Sequence, residues 1–538
     1  MREEQALPGI ALGRGKAVAA GMLAGVTAAL LMTLLHLFLR IQFGVPTPSE
    51  LIGDRMAPMI SVDTFIRLLV RFGGFNNLKK IGFGSVLGGQ FVVGTLGGVL
   101  YALIASRPAA RKSEIARRLR TTSAGLRFAI IFVAALWLLT LVLLWPVLGT
   151  HYYGLPPGRA TLVTALSFLF AYGVYGLCLI VGYGIIARQS SEQAASETGI
   201  GPHRGRRALL VGGIGAVVAV AVNMIWKRLY DIATFSYDGT QYLGDDVRFI
   251  TPNDRFYVVT KNVIDPHVNR DLWRLEIAGM VDRARAYSFE ELAALPAVTQ
   301  ETTLMCISNQ VGGGLMSNAV WKGVPLGSLL EASGPHAGIT KVVLRAVDGY
   351  DDTIPFAKAM EPTTLVAHEM NEGPLPFRHG YPVRLIVPGL YGEKSVKWIT
   401  RIELLAQDVM GFYERQGWGP NFTIPTHSRF DAPDFGKPIP LAASIPLKGV
   451  AFGGNRGISR VEVSFDDGND WREAKINTPG TRLTWALWNY DWKPERTGEY
   501  KLVVRATDGD GALQIKEERW TAPHGATGYH KVTARVVA

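Results

Sequence analysis

Thr303-Leu304-Met305-Cys306-Ile307-Ser308-Asn309-Gln310-Val311-Gly312-Gly313-Gly314 sets one cysteine between an apolar run and a glycine-rich turn, shortly before Asn318-Ala319-Val320-Trp321-Lys322-Gly323-Val324. Taken alone, a cysteine in such a stretch reads as a small buried hydrophobe. Its thiolate is also a soft ligand suited to a redox metal, which a protein adjusts through ligand identity, hydrogen bonds and burial. The sequence around it decides between the two.

Outward from Cys306, the texture from about residue 245 is of short alternating strands separated by Gly, Pro and Asp. Lys341 to Val347 and Val383 to Val387 read as strands, and Pro325 to Ser333 as a short helix. Several blocks follow one another in order. They run from Asn253-Asp254-Arg255-Phe256-Tyr257-Val258-Val259-Thr260-Lys261-Asn262 through Trp273-Arg274-Leu275-Glu276-Ile277-Ala278-Gly279, the Cys306 segment and Asp348-Gly349-Tyr350-Asp351-Asp352. After Leu365-Val366-Ala367-His368-Glu369-Met370-Asn371 comes His379-Gly380-Tyr381-Pro382-Val383-Arg384-Leu385-Ile386-Val387-Pro388-Gly389, which leads into Gly392-Glu393-Lys394-Ser395-Val396-Lys397-Trp398.

Together these blocks resemble the sulfite oxidase family, and the resemblance covers everything after about residue 245. It implies a mixed α+β molybdopterin domain and a Mo-molybdopterin cofactor in which Cys306 is the protein's ligand to the metal. It also implies that Asn262, Asp348, His379, Arg384, Ser395, Val396 and Lys397 line the pterin and its phosphate. The chemistry suits them, since a phosphate wants Arg and Lys donors while His and Asp bond a heterocycle edge. Three positions depart from the sulfite oxidase pattern. Lys261-Asn262-Val263 stands where those enzymes carry Arg-Asn-His, and their active-site tyrosine position falls on Trp418, with Tyr413 nearby. A pocket with Lys261 and Trp418 as its catalytic groups is expected to bind a dianion less well and a neutral sulfoxide or N-oxide better. The expected chemistry is two-electron oxygen-atom transfer on a small substrate. The alternatives are a sulfite oxidase feeding a respiratory partner and, in a different class, a cofactor-free membrane scaffold.

A second module begins near Pro438. Gly457 to Phe465 alternates into an Asp466-Asp467-Gly468 turn, and later come Tyr500 to Asp508 and Val532 to Val537. Seven or so short strands suggest an immunoglobulin-like sandwich, similar to the dimerisation domain of the family, so a homodimer is expected.

Composition supplies the rest. With 538 residues, two or three domains are expected. Mean hydropathy is positive, and apolar runs near 17–39, 83–105, 128–149, 161–187 and 208–226 are each close to the roughly 20 residues that cross a bilayer. The net charge of +11 concentrates around two loops, Arg107 to Arg127 and Arg188 to Arg207. It reads as cytoplasmic topology and not as a nucleic-acid site. Five spans then give a multi-pass protein of the cell membrane, bound to lipid, with its catalytic domain extracytoplasmic. Gly205-Arg206-Arg207-Ala208 before the fifth run looks like an internal twin-arginine (Tat) export signal. Ser61 to Phe72 spaces its apolar residues as an amphipathic helix, either at the membrane surface or packed. His36 and His151 are candidates for a haem or quinone site, and a quinone, cytochrome or haem membrane partner would carry the electrons. The two cysteines, Cys178 and Cys306, define no disulfide framework. The expected domains are 1–228, transmembrane; 229–430, molybdopterin-binding; and 431–538, immunoglobulin-like.

Overall fold

A computed structural model describes residues 13–106, 121–196, 220, 223–225, 227–441 and 444–538. The chain divides into two compact units, the first comprising Met1–Met56, Asn77–Tyr152 and Pro156–Ser236, the second Ala57–Asn76, Tyr153–Leu155 and Tyr237–Ala538. The helices of their first two hundred residues are α1 (Arg14–Phe43), α2 (Pro48–Met56), α3 (Val62–Phe72), α4 (Phe75–Ala105), α5 (Ser123–Leu144) and α6 (Pro157–Ser196).

In the first unit, α1, α4, α5 and α6 are long and apolar enough to cross a membrane. They coincide with the first four runs in the sequence. Arg206, Arg207 and all of the fifth run except residues 220 and 223–225 lie outside the described residues. Glycines at i and i+4 let two of these helices approach backbone to backbone: a Cβ on Gly25 of α1 would sit 2.5 Å from the Gly94 carbonyl of α4. Between α1 and α2 the buried Arg40 pairs with Glu50 at 2.9 Å. The amide and hydroxyl of Thr47 both donate to the same carboxylate at 2.9 Å, the extra bonds a buried ion pair needs. His36 is buried among Phe168 and Tyr172, with neither ring nitrogen hydrogen-bonded. His151 instead pairs with Asp54 at 2.7 Å, so the two histidines have separate surroundings.

The second unit carries two sheets and a β module. One sheet orders β2 (Arg285–Ser288), β1 (Arg274–Gly279), β10 (Ile399–Leu405), β5 (Lys341–Ala346) and β6 (Asp351–Pro355). Only the β1–β10 pair is parallel in this sheet. The other joins β3 (Val298–Met305), β4 (Met316–Pro325), β7 (Leu365–Met370) and β8 (Gly373–Pro374), with β9 (Arg384–Ile386) on β7. Short helices α7 (Phe289–Ala293), α8 (Leu326–Ser333), α9 (Phe356–Ala359) and α10 (Phe412–Gln416) complete it. A core of Trp273, Leu275, Leu344, Ile354, Leu385, Trp398 and Ile402 is shared between sheet and helices. The strands and the short helix read from sequence at 341–347, 383–387 and 325–333 correspond to β5, β9 and α8.

The helix read at 61–72 forms as α3. Ser61 caps it by accepting from the Thr64 amide, and Gly73 ends it at φ 70°. Its apolar side is packed into protein: Val62, Phe65 and Ile66 join a cluster with Tyr413, Trp418, Phe422 and Ile424.

The carboxyl-terminal strands form an eight-stranded, mostly antiparallel array. Its order is β11 (His427–Ala432), β13 (Ile445–Phe452), β16 (Ala486–Trp492), β15 (Arg472–Thr478), β14 (Ile458–Ser464), β17 (Gly498–Asp508), β18 (His530–Val537) and β12 (Ile439–Pro440). The turn between β14 and β15 holds Asp467 at φ 62° and Gly468 at φ 91°, a left-handed pair that Asp-Gly tolerates. Burial pushes His427 in β11 down to about 4. Such a histidine stays neutral in the fold but is protonated when unfolded below its usual 6.5. Its contribution is therefore full above pH 6.5 and is lost as pH falls toward 4, at about 1.4 kcal/mol per unit. His427→Asn is expected to flatten the pH dependence, narrowing its stability deficit against the parent by about 2 kcal/mol between pH 6.5 and 5. Urea unfolding of both proteins across that range checks it, and parallel curves would refute it.

Candidate functional site

Cys306 follows β3 directly, its amide donating to the Leu315 carbonyl at 3.0 Å. Met305 and Ile307 on either side are core residues, which fixes the thiol between two anchored neighbours. The thiol keeps some exposed surface yet is deeply surrounded, and it lies 3.0 Å from the Ser308 hydroxyl. Burial first, then the nearby Glu393, pushes it up to about 11. A bound cation reverses that balance and holds the thiolate.

Lys261, Asn262 and Asp348 come together as one hydrogen-bonded group. The Lys261 ammonium donates to the Asp348 carbonyl at 2.8 Å and to Asn262 Oδ1 at 3.3 Å. The Asn262 amide donates to the carboxylates of Asp265 and Asp348 at 3.1 and 2.9 Å. Lys261 also lies 5.9 Å from the centre of the Phe412 ring in α10. It is thus a fixed charge at the edge of the site.

His379, Arg384, Ser395, Val396 and Lys397 form a second group, held by β9 and the turn at 392–397. The buried Arg384 donates to the carbonyls of His379 and Ser395 at 3.1 and 3.0 Å. Gly380, at φ 112°, runs between Arg384 and Lys397, and a Cβ there would lie 3.0 and 3.2 Å from theirs. Ser395 Oγ accepts from the Val387 amide at 3.1 Å, and the Val396 carbonyl accepts from Leu385 at 2.8 Å. His379 Nε2 donates to the Asn253 carbonyl at 2.8 Å, which leaves Nδ1 as an acceptor. Burial holds its pKa down at about 3, so the ring is neutral. Burial also lowers Lys397, whose charge is partly supported by Asp265 and Asp348. That electrostatic contact links the two groups.

Trp418 stands beside Tyr413, ring centres 6.2 Å apart, and its indole N–H is buried without a partner. Burial and the neighbouring Cys306 and Glu393 raise Tyr413 far above its usual range, keeping a neutral hydroxyl at the thiol. The residue that the sequence reading missed is Glu393. Burial, then Asp352, pushes it up to about 8, with Lys394 and the Ile307 and Glu393 amides offsetting part of the effect. Neither of its oxygens makes a hydrogen bond of good geometry. Its signal was an acid between Gly392 and Lys394 inside an otherwise apolar and basic block.

The residues fit a pterin-bound metal. Among the described residues no group of three or more His, Cys, Asp or Glu could hold a metal ion, and the dithiolene sulfurs of a pterin would supply a metal at Cys306 with the further ligands it needs. Arg384, Lys397, neutral His379 and Asn262 offer such a cofactor cations, an acceptor and an amide.

Comparison with known proteins agrees. Residues 262–413 match the oxidoreductase molybdopterin binding domain, and residues 423–536 match the Mo-co oxidoreductase dimerisation domain. Sulfite oxidase of Gallus gallus is 31% identical over 316 residues, covering 50% of this chain and 68% of that protein. The mitochondrial sulfite oxidase of Drosophila melanogaster is 28% identical over 54% of this chain and 60% of its own length. The chain thus spans somewhat more than half the length of the sulfite oxidases it matches. The sulfane dehydrogenase SoxCD of Paracoccus pantotrophus shares the fold, with a TM-score of 0.50 and 24% identity over 55% of this chain and 85% of that one. The chain belongs to the sulfite oxidase family of molybdopterin-dependent oxidoreductases.

Proposed function

We propose that the protein is a membrane-anchored enzyme that transfers an oxygen atom between its molybdenum cofactor and a small neutral substrate, reducing sulfoxides or N-oxides outside the cytoplasm. The observation that carries this reading is the unpartnered, buried N–H of Trp418. A buried donor without a partner costs about 1–3 kcal/mol, and a substrate oxygen satisfies it. The bound cofactor supplies the two-electron oxygen transfer, R2SO + 2H+ + 2e− giving R2S + H2O. Cys306 holds the metal, the Arg384 and Lys397 group holds the pterin phosphate, and Tyr413 and Trp418 supply an aromatic wall and the donor. Lys261, anchored on Asp348, contributes its charge without a bidentate grip.

Membrane anchoring rests on α1, α4, α5 and α6, and sidedness on the charge of the loops between the apolar runs. Residues 57–76 and 153–155 join α2 to α4 and α5 to α6, and both fold in the same unit as residues 237–538. The basic loops read from the sequence support a catalytic domain outside the cytoplasm. Arg206 and Arg207 would then direct twin-arginine export of a domain already folded around its cofactor. The dimerisation-domain match supports a homodimer through the 431–538 module, of immunoglobulin-like type, following the 1–228 and 229–430 domains.

Sulfite is an anion, partly dianionic at neutral pH, so sulfite oxidation is expected to be at least about tenfold less efficient than reduction of dimethyl sulfoxide, or roughly 1.4 kcal/mol of transition-state binding. Steady-state kinetics of both reactions on one metal-replete preparation test this. Efficient sulfite turnover without sulfoxide reduction would replace the reading with that of a sulfite oxidase.

A further inference from the structure

Helix α3 is carried in the segment between two apolar helices, far in sequence from the catalytic domain, yet both ends of that segment are tied to elements that bear the site. At one end the Gln416 side chain, in the last turn of α10, donates to the Ala57 carbonyl at 2.9 Å. At the other, the Asn76 side chain donates to the Asp238 carbonyl at 3.0 Å. The Asp238 carboxylate in turn accepts from the Thr260 amide at 3.0 Å, immediately before Lys261 and Asn262. Between these ties, Val62 is 7% exposed, and its Cγ1 lies 3.5 Å from where a Cβ on Gly417 would be, next to Trp418. A single apolar cluster runs from Met305 and Ile307, which flank Cys306, through Tyr413 and Trp418 to Val62, Phe65 and Ile66.

We propose that α3 forms the outer wall of the substrate pocket and sets the largest substrate it admits, with Val62 and Phe65 as the size-determining residues. This rests on the reading of Trp418 as a wall of that pocket. On this proposal, two bulky side chains behind the aromatic pair favour methyl-sized substituents over an aryl group. Trimming them opens volume that the neighbours refill only in part. The membrane-anchored half of the sequence thereby contributes specificity to the oxidoreductase.

The test is the ratio of kcat/KM for methyl phenyl sulfoxide to that for dimethyl sulfoxide, on full-length holoenzyme with molybdenum per chain matched. Val62→Ala/Phe65→Ala is expected to raise the ratio at least about fivefold, and Val62→Leu, which keeps the wall if the first variant folds poorly, to lower it. Val70→Ala is the control, since Val70 on the same helix is 79% exposed; it should leave the ratio unchanged. Hydrogen exchange of the 412–422 amides is followed in the same samples and should quicken in the double alanine variant. An unchanged ratio with faster exchange makes α3 a brace and overturns the proposal. If the parent reduces neither sulfoxide, the same ratio is read for N,N-dimethylaniline N-oxide against trimethylamine N-oxide: a ratio unchanged in the double variant overturns the wall alone, and no turnover of either pair overturns both the substrate reading and the wall built on it.

Discussion

Replacing Cys306 by serine is expected to lower turnover by at least about a thousandfold, equivalent to roughly 4 kcal/mol of transition-state stabilisation, with the fold intact. The substitution is nearly isosteric, and the sulfur's contact with the Ser308 hydroxyl at 3.0 Å is one a serine can reproduce. Its backbone is held from outside the side chain, by the bond to Leu315 and by the buried Met305 and Ile307. What the serine cannot supply is a soft anion. A thiol driven up to about 11 by burial still ionises readily beside a metal, whereas an alcohol in the same surroundings is a harder and much weaker ligand. Circular dichroism, molybdenum content and sulfoxide turnover, measured together, separate loss of ligand from loss of structure. Turnover within tenfold of the parent would show that the metal, if bound, does not depend on this sulfur.

What the sequence showed of this site was whatever short-range pattern can carry. The Cys306 block, the Arg384 strand and the Lys397 turn were readable because each is a contiguous run whose residue types suit one job. The structure then brings Arg384 and Lys397 together at Gly380 and bonds Arg384 to the Ser395 carbonyl. The first four apolar runs were readable for the same reason. Glu393 was not. Its elevated pKa arises from burial against partners brought in by the fold: a Cβ on the adjacent Gly392 would lie 3.3 Å from the Met305 carbonyl, which places the turn directly against the cysteine strand. The position of α3 was equally hidden. Amphipathic spacing gave the helix, but whether its apolar side met lipid or protein depended on residues some 350 positions away, Tyr413 and Trp418 among them. Lys261 was read as a group facing the substrate, and its bonds to Asp348 and Asn262 could not be inferred from its own neighbours.

The largest effect on stability is expected at Lys394. Its ammonium meets Asp352 at 2.6 Å, with the two side chains 3% and 1% exposed, and Glu414 follows at 3.7 Å. The Tyr350 hydroxyl donates to the other Asp352 oxygen at 2.7 Å, and the ammonium lies 3.8 Å from the centre of the Phe422 ring. Burial raises Asp352 on balance, and Lys394 is the foremost of the groups that oppose it by favouring the charged carboxylate. Lys394→Met keeps the length of the side chain and removes the charge. It leaves an uncompensated buried carboxylate and is expected to cost about 3–5 kcal/mol. Adding Asp352→Asn should restore most of that loss, because the penalty lies in the stranded charge and not in the missing bond. The turn that Lys394 anchors continues directly into Ser395, Val396 and Lys397, so the single variant should also lose molybdenum and the double variant should regain it. Guanidinium unfolding and metal content of the parent, both single variants and the double variant form the complete cycle. A Lys394→Met cost below about 1 kcal/mol would mean that water reaches the pair, and the turn must then be held by bonds to its backbone such as that from Arg384 to the Ser395 carbonyl.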